Sequence, residues 1–345
     1  MNTALNALEQ LSLGVMADVL LRTQALPMQV WRTAAQLNQA LGTAPRHAWI
    51  VRRWLAALSR TEAVQVDGER LAWNGTPPQA AIGDLPGLYA ELGFPSSMAQ
   101  LHAQVIECLP ELLRDRIALA PLLVLAGDPV AVLGAYQHNH FTAAINQTLA
   151  ARAREASAAC DDVLQVLELG GGAGGTTRAV LAALEDREIA YRFTDISSLF
   201  TGAAQRAFRL EPGMQFSLLD LDRDFSEQGI APRSLDLVVA GNVLHNACDL
   251  PRSLARIRAC LRDGGTLLFS ESIADNPAML TFMHLLLSPP AGAPLRATDE
   301  VFMPPEVWRQ ALHVAGFELL DLWPAATDPL AATGQRLFHA TGVSR

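Results

Sequence analysis

A glycine-rich turn between an apolar run and a predicted helix constrains this chain more than any other feature. Val163–Leu169 is a short apolar run typical of a strand buried on both faces of a parallel sheet. The run contains Glu168, and Thr176 or Thr177 is expected to cap a helix that continues through Ala179–Leu184. Five glycines lie between them, namely Gly170, Gly171, Gly172, Gly174 and Gly175. This order predicts the first crossover of a nucleotide-binding α/β sheet, where a side chain on the turn would keep the backbone away from the ligand.

Two ligand-binding spacings fit the glycine turn. Gly170, Gly172 and Gly175 satisfy the dinucleotide fingerprint, in which a helix N-terminus faces a pyrophosphate. Glu168 with Gly170, Gly172 and Gly174 satisfies the acidic-x-Gly-x-Gly-x-Gly spacing typical of methyltransferases that use S-adenosylmethionine (SAM). A carboxylate at the strand end suits the cationic amine and sulfonium of SAM better than it suits a pyrophosphate. The turn alone leaves both ligands open, together with a purely structural turn.

Two later strands also end in carboxylates. Tyr191–Asp195 is predicted as the second strand, and Asp195 lies about twenty residues beyond the turn, where this architecture places the acid that binds two ribose hydroxyls. Phe216–Asp220 is predicted as the third strand, and Asp220 is expected to bind the adenine amino group. Either acid alone could be a helix cap or a solvated strand end. Three successive strands with acids at their ends beside one glycine turn favour a cofactor site.

The remaining strands complete the predicted fold class, an α/β Rossmann-like sheet with helices on both faces. The fourth and fifth strands and a terminal hairpin are predicted at Ser234–Asn242, Asp263–Glu271, Gly316–Asp321 and Arg336–Ala340.

The N-terminal part differs in pattern, so residues 1–125 are predicted as a mainly helical, winged-helix-like domain and residues 126–345 as the α/β domain. Three helices followed by a hairpin with an Asp-Gly turn carry this prediction, at Ala4–Leu21, Thr33–Gly42, Ala48–Leu58 and Val64–Trp73. Residues 31–74 hold six arginines and three acids, a charge balance that is compatible with DNA binding. The net charge of −9 argues against nucleic acid as the main partner.

Composition excludes several other classes. No run of eighteen uncharged apolar residues occurs, so no membrane partner is expected, and the N-terminus lacks the early cationic cluster of a signal peptide. Cys108, Cys160, Cys248 and Cys260 show neither a Cys-x-x-Cys pair nor zinc spacing, which predicts unpaired thiols and a cytoplasmic location. His138 and His140 are two residues apart, a poor spacing for one metal, so no metal site is predicted.

Four segments resemble the methyltransferase domains built into polyketide and nonribosomal peptide synthases: Val166–Thr177, Phe193–Ser197, Asp220–Gly229 and Asn242–His245. The resemblance implies a class I methyltransferase of secondary metabolism with SAM as cofactor. By position, the implied cofactor contacts are Tyr136, Glu168, Gly170, Gly172, Asp195, Asp220, Leu221 and Asn242. In small-molecule O-methyltransferases that the N-terminal domain resembles, such a module serves dimerisation, which implies a homodimer through this domain and no nucleic-acid partner.

His245 and Glu271 are the predicted catalytic pair. His245 follows the fourth strand and Glu271 ends the fifth, so neighbouring strand ends can bring the two side chains together. A carboxylate on one imidazole nitrogen fixes the tautomer and raises the basicity of the other nitrogen. The resemblance implies that this pair is the base for methylation, although either residue alone could be structural. Oxygen and carbon remain alternative methylation sites.

The acceptor region departs from the family pattern. Leu287–Pro294 replaces a segment that usually contains Gly-Trp-Trp, while Met283 and His284 are predicted substrate contacts beside Met279 and Phe282. The expected acceptor is a small molecule or an acyl group on a carrier protein. Three other functions remain open: a methyltransferase-like protein that uses SAM for rearrangement or dehydration, a SAM-sensing winged-helix regulator, and a nicotinamide dehydrogenase.

Overall fold

A computed structural model describes residues 1–158, 160, 162–295 and 298–343. The chain forms two units, a helical unit of Met1–Val132 with Asp275–Glu300 and an α/β unit of Leu133–Ala274 with Val301–Arg345. This division differs from the predicted one, because Asp275–Glu300 joins the helical unit. Side chains of that unit hold the segment: Trp54 Nε1 donates to the Leu280 carbonyl at 3.0 Å, and the His102 ring bonds the Thr281 hydroxyl at 3.1 Å.

The helical unit contains α-helices of different lengths and a small three-stranded antiparallel sheet of order β1-β3-β2. Helix α2 begins with a capping box, in which the Thr33 hydroxyl accepts from the Gln36 N–H and the Gln36 side chain accepts from the Thr33 N–H. It ends at Gly42, whose φ of +72° makes a left-handed cap. The elements are α1 Asn2–Arg22, β1 Arg32–Thr33, α2 Ala34–Leu41, α3 Ala48–Leu58, β2 Val64–Asp67, β3 Arg70–Trp73, α4 Leu85–Glu91, α5 Ser96–Leu113, α6 Leu119–Ala126 and, from the returning segment, Pro277–Leu280.

Helix α1 is long and apolar enough to span a membrane by length and composition. However, 61% of its most apolar window is buried, and residues such as Met16 and Leu20 have no exposed surface. The helix contributes its apolar residues to the core of the helical unit, which accounts for its hydropathy.

The α/β unit is built on a seven-stranded sheet of order β6-β5-β4-β7-β8-β10-β9, in which β10 pairs antiparallel with β8 and β9 and the other neighbouring strands pair parallel. The chain passes from the helical unit to this one within α7 Pro129–Gln137. The elements that follow are α8 His140–Ser157, β4 Leu164–Leu169, α9 Gly175–Ala183, β5 Ile189–Asp195, α10 Ser198–Ala207, β6 Met214–Leu218, β7 Leu235–Gly241, α11 Leu250–Cys260, β8 Leu261–Ser272, α12 Pro305–Val314, β9 Phe317–Trp323 and β10 Gln335–Gly342. The predicted strands and the terminal hairpin are therefore confirmed.

Two apolar clusters cover the two faces of this sheet. One packs α11 and α12 against the sheet around Leu254, Trp308 and Phe269. The other packs α8 and α9 against the opposite face around Leu149, Val180 and Val239. Because both faces of the central strands are buried, the parallel strand ends are left as the place where polar side chains collect.

Candidate active site

The glycine turn follows β4 and takes a conformation that side chains would disturb. Gly170 and Gly172 have φ values of +59° and +55°, in the left-handed region. A Cβ on Gly170 would lie 2.3 Å from a Val243 methyl group, and one on Gly171 would lie 2.1 Å from the Phe193 ring. A Cβ on Gly172 would meet nothing closer than 3.9 Å. The turn is therefore tightly packed at Gly170 and Gly171, whereas a Cβ on Gly172 would make only ordinary van der Waals contacts.

The expectation that Thr176 or Thr177 caps the following helix is wrong. Helix α9 begins at Gly175, and its N-cap residue is Gly174, which has no side chain to make a capping hydrogen bond. Both threonines lie inside the first turn, where the Thr177 hydroxyl donates to Glu168 Oε2 at 2.7 Å and the Thr176 hydroxyl donates to Asn146 Oδ1 at 3.1 Å. The two threonine hydroxyls therefore bond Glu168 of β4 and Asn146 of α8 instead of capping the helix.

Glu168 is fully buried at the end of β4. Its Oε2 accepts hydrogen bonds from the Thr177 hydroxyl and, at 2.9 Å, from the Tyr191 hydroxyl. Its Oε1 has no partner in the part of the chain that the structure describes. Burial raises the pKa of Glu168 to about 7, the two hydroxyl donors lower it, and the nearby Asp195 charge raises it. A buried carboxylate with one unpaired oxygen beside the open glycine turn fits a cationic cofactor such as SAM.

We expect SAM affinity to depend on pH through Glu168. The carboxyl group takes up a proton as the pH falls below about 7, and a cationic ligand favours the ionised form. Binding should therefore release a proton, and affinity should fall about tenfold for each pH unit below 7. Calorimetric titrations at pH 6, in buffers with different ionisation enthalpies, would count the protons released.

Glu168→Gln removes the titrating carboxyl group. This variant should bind SAM more weakly and release no proton on binding. Glu211→Gln, which changes an exposed carboxyl group, should behave like the wild type. Proton release that persists in Glu168→Gln would assign the linkage to another group. The raised pKa also means that the folded chain binds more protons between pH 4.5 and about 7, so the free energy of unfolding should decrease as the pH rises through this range.

Asp195, at the end of β5, holds the glycine turn in place. Its Oδ2 accepts from the Gly172 N–H at 3.0 Å, and its Oδ1 accepts from the Ser197 N–H at 2.8 Å. Burial raises the pKa of Asp195, partly offset by the backbone donors Ser197, Gly172 and Ile196. Asp195, the residue predicted to bind the ribose hydroxyls, therefore also fixes the backbone of the glycine turn.

The other predicted cofactor residues of the sheet follow β6 and β7. Asp220 is partly exposed, and its Oδ1 accepts from the Asp222 N–H at 2.9 Å. The Leu221 side chain packs against the apolar core, while its carbonyl accepts from the Ser253 hydroxyl. Asn242 follows β7 with a left-handed φ of +54°. All three thus lie just beyond the C-terminal ends of parallel strands.

Tyr136 lies near the end of α7. Burial raises the pKa of its hydroxyl to about 12. The neighbouring residue Gln137 was missed by the sequence interpretation. Its amide lies beside the glycine turn, with Oε1 2.9 Å from where a Cβ on Gly175 would be. No local pattern marks Gln137, because only the packing of α7 on the turn brings it there.

The structure brings the predicted catalytic pair together. His245 lies in a 3-10 helix, Leu244–Asn246, directly after β7, and its Nδ1 is 2.7 Å from Glu271 Oε2. Glu271 Oε1 accepts from the N–H groups of Leu244 at 2.7 Å and His245 at 3.2 Å. Glu271 is fully buried and His245 is 8% exposed, with the Phe302 ring edge-on to the imidazole at 5.0 Å. Since Glu271 is acceptor-only when ionised, the proton of this pair belongs on Nδ1 and leaves Nε2 as the basic nitrogen.

The predicted substrate contacts lie in the helical unit. Met283 and His284 are buried in a 3-10 helix, Met283–Leu287, within the returning segment. Their role as acceptor contacts stays a prediction. His138 is exposed and His140 begins α8, and no group of three or more potential metal ligands is found in the described residues.

Comparison with known proteins identifies the α/β unit. Residues 167–267 match a family described as a methyltransferase domain. The chain is 33% identical over 316 residues to the polyketide synthase ThaG of Burkholderia thailandensis, an alignment that covers 85% of this chain and 5% of the synthase. It is 37% identical over 174 residues to the methyltransferase calH of Penicillium decumbens, covering 48% of this chain and 47% of that protein. The chain thus spans a small part of the synthase and about half of calH.

Among solved structures, the carbon methyltransferase of CurJ has a similar fold, with a TM-score of 0.83 and 23% identity, covering 98% of this chain and 91% of that one. This likeness confirms the predicted fold class, and the family match confirms SAM as the cofactor. The chain therefore contains a SAM-dependent methyltransferase domain and is a relative of the methyltransferase domains of polyketide and nonribosomal peptide synthases.

Proposed function

We propose that this chain transfers a methyl group from SAM to an acidic carbon of a polyketide- or peptide-type acyl acceptor, with His245 as the general base. The observation that carries the proposal is the His245–Glu271 pair, a hydrogen-bonded imidazole and carboxylate at the ends of adjacent strands. Nε2 of the imidazole makes no hydrogen bond that the structure describes, so it is available to an acceptor.

The chemistry of the pair favours certain acceptors. When bound, SAM supplies a methyl group activated by a positively charged sulfur. The protein must align the acceptor and remove one proton. Nε2 of His245 takes that proton, and Glu271 stabilises the resulting imidazolium through Nδ1. An aliphatic hydroxyl is a much weaker acid than a carbon between two carbonyls, so an imidazole base removes the proton of such a carbon more readily. This argument supports carbon over alcohol oxygen, with phenols and other acidic oxygens as the alternative.

Residues around the glycine turn are suited to hold the cofactor. Glu168 offers a carboxylate oxygen to the cationic end, and the backbone at Gly172 leaves room for close approach. Asp195 ends β5 and Asp220 follows β6, where ribose and adenine are expected. These contacts are proposals that the affinities of single variants would test.

Delivery by a carrier protein is proposed from the relatives. ThaG is a polyketide synthase, and calH is described as a trans-methyltransferase in a structure of its complex with S-adenosylhomocysteine. We therefore propose that the acceptor is an acyl thioester, presented by a carrier protein or as a free thioester.

The test is methyl transfer from ¹³C-methyl SAM to a 3-oxoacyl thioester, offered on a small thiol and on a carrier protein. We expect a mass increase of one labelled methyl group and an NMR signal of a methyl bonded to carbon. A signal of a methyl group bonded to oxygen would show that oxygen, and not carbon, is the methyl acceptor. SAM binding without transfer to carbon or oxygen acceptors would instead favour the non-methylating alternative.

The regulator alternative is weakened by the arginines of the helical unit. Ion pairs join Arg46 to Asp115, Arg52 to Asp299, Arg53 to Asp275 and Arg70 to Asp67. These cations are already paired with carboxylates, which leaves less positive charge for a phosphate backbone. Homodimerisation through the helical unit and a cytoplasmic location stay predictions.

A further inference from the structure

Asn242 has an unusual backbone conformation between β7 and the 3-10 helix that carries His245. Its φ of +54° is left-handed, a region that non-glycine residues seldom occupy and that asparagine and aspartate tolerate best. The parallel pairing of β7 with β8 ends at Gly241 and Ser270, immediately before Asn242. The chain therefore turns sharply at the point where it leaves the sheet toward the catalytic histidine.

Asn242 is bonded to both neighbours of Glu271. Its N–H donates to the Ser270 carbonyl at 2.8 Å, and its side-chain Oδ1 accepts from the Ser272 N–H at 2.8 Å. In the opposite direction, Glu271 Oε1 accepts from the N–H groups of Leu244 and His245. Each segment thus uses a side chain to hold the backbone of the other, and the imidazole–carboxylate pair lies inside this reciprocal arrangement.

We propose that Asn242 is a positioning residue for the His245–Glu271 pair. This role rests on the proposed function of that pair and differs from the cofactor contact that sequence resemblance assigned to Asn242. The side-chain oxygen fixes the backbone beside Glu271, and the left-handed turn directs Leu244 and His245 back toward the Glu271 carboxylate. Loss of the Asn242 side-chain amide removes the acceptor of the Ser272 N–H. The Glu271 carboxylate can then move away from Nδ1 of His245.

Two substitutions separate the parts of this role. Asn242→Gly keeps the left-handed backbone and removes the side-chain acceptor, whereas Asn242→Asp keeps both the conformation and an acceptor oxygen. Arg233→Gly is a matched control, because Arg233 is another non-glycine residue with a left-handed φ, of +51°, in the same unit and is exposed. The control changes the same kind of backbone position outside the catalytic machinery.

The first readout is ¹⁵N NMR of the histidine rings, which reports tautomers without turnover. The His245 signals are assigned by their loss in His245→Gln. We expect a proton on Nδ1 in the wild type and in Asn242→Asp, and a mixture of tautomers in Asn242→Gly. The second readout is kcat at saturating SAM and acceptor, which should fall 10- to 100-fold in Asn242→Gly and recover in large part in Asn242→Asp. The Kd for SAM should change less than twofold in both.

Two outcomes would overturn the proposal. A loss of SAM affinity in Asn242→Gly with an unchanged His245 tautomer would make Asn242 a cofactor contact. An unchanged His245 tautomer together with an unchanged kcat in Asn242→Gly would show that Asn242 does not position the His245–Glu271 pair. Thermal unfolding of each variant identifies samples that are not folded, and Ser272→Pro, which deletes the donor N–H of the same bond, then provides the second test of the tautomer. A wild type that binds SAM and transfers no methyl group would count against the proposed function, while the tautomer readout would still decide the role of Asn242.

Discussion

Glu271→Gln is expected to lower kcat by about 10⁴ while the fold and the SAM affinity remain close to those of the wild type. The glutamine carbonyl can still accept from the N–H groups of Leu244 and His245, so the backbone stays in place. Its amide NH₂ then faces Nδ1 and forces the imidazole proton onto Nε2. The nitrogen that should accept the proton of the substrate is then protonated in the neutral ring. Single-turnover methyl transfer with labelled SAM, together with calorimetric titration of SAM, measures both effects.

His245→Ala should also abolish turnover with SAM affinity nearly unchanged, because the proposed base contacts the acceptor and not the cofactor. Glu318→Gln, at an exposed position on β9, is the matched control for the carboxylate-to-amide change and should retain full activity. A large loss of SAM binding in either catalytic variant would contradict the assignment. Turnover within tenfold of the wild type in Glu271→Gln would show that the carboxylate does not set the tautomer.

Local pattern was sufficient for the parallel strands β4 to β7 because these are short apolar runs with glycine or an acid at the strand end or within two residues of it. Val163–Leu169 and Ser234–Asn242 predicted β4 and β7 to within one residue at each end. Parallel strands that are buried on both faces have little freedom in composition, so the pattern is strong. The spacing from the glycine turn to Asp195 then followed from the length of one strand–helix–strand unit.

Contacts between distant parts of the chain were not accessible in this way. The return of Asp275–Glu300 to the helical unit depends on bonds such as those from Trp54 to Leu280 and from His102 to Thr281, more than 170 residues apart in sequence. Thr177 has the position of a helix cap, yet its hydroxyl bonds Glu168 because α9 packs against β4. Propensity describes what a residue can do locally, and tertiary packing decides which partner it takes.

Gly170→Ala is expected to act mainly on stability and Gly172→Ala mainly on SAM affinity, although both replace a glycine with positive φ. Each should lose about 1–2 kcal/mol of folding free energy, because alanine is strained in the left-handed region. At Gly170 the new methyl group also lies 2.3 Å from Val243, so overpacking adds about 1–3 kcal/mol. At Gly172 the methyl group would lie 3.9 Å from the Gln137 amide nitrogen, an ordinary van der Waals contact, on the side where the cofactor is proposed to lie. Gly170→Ala should therefore show the larger loss of stability, and Gly172→Ala the larger loss of SAM affinity.

Denaturant unfolding and calorimetric titration of the two variants test this contrast. Gly264→Ala is the matched control, because Gly264 also has a positive φ, of +72°, and a Cβ there would meet nothing within 4 Å. It reports the backbone strain alone, so its stability loss can be subtracted from those of the other two variants. Any further loss in Gly170→Ala then measures the contact with Val243, and weaker SAM binding by Gly172→Ala than by Gly264→Ala locates the ligand at the turn. Equal SAM affinities for these two variants would place the cofactor away from Gly172, and the looser packing there would then be a property of the turn alone.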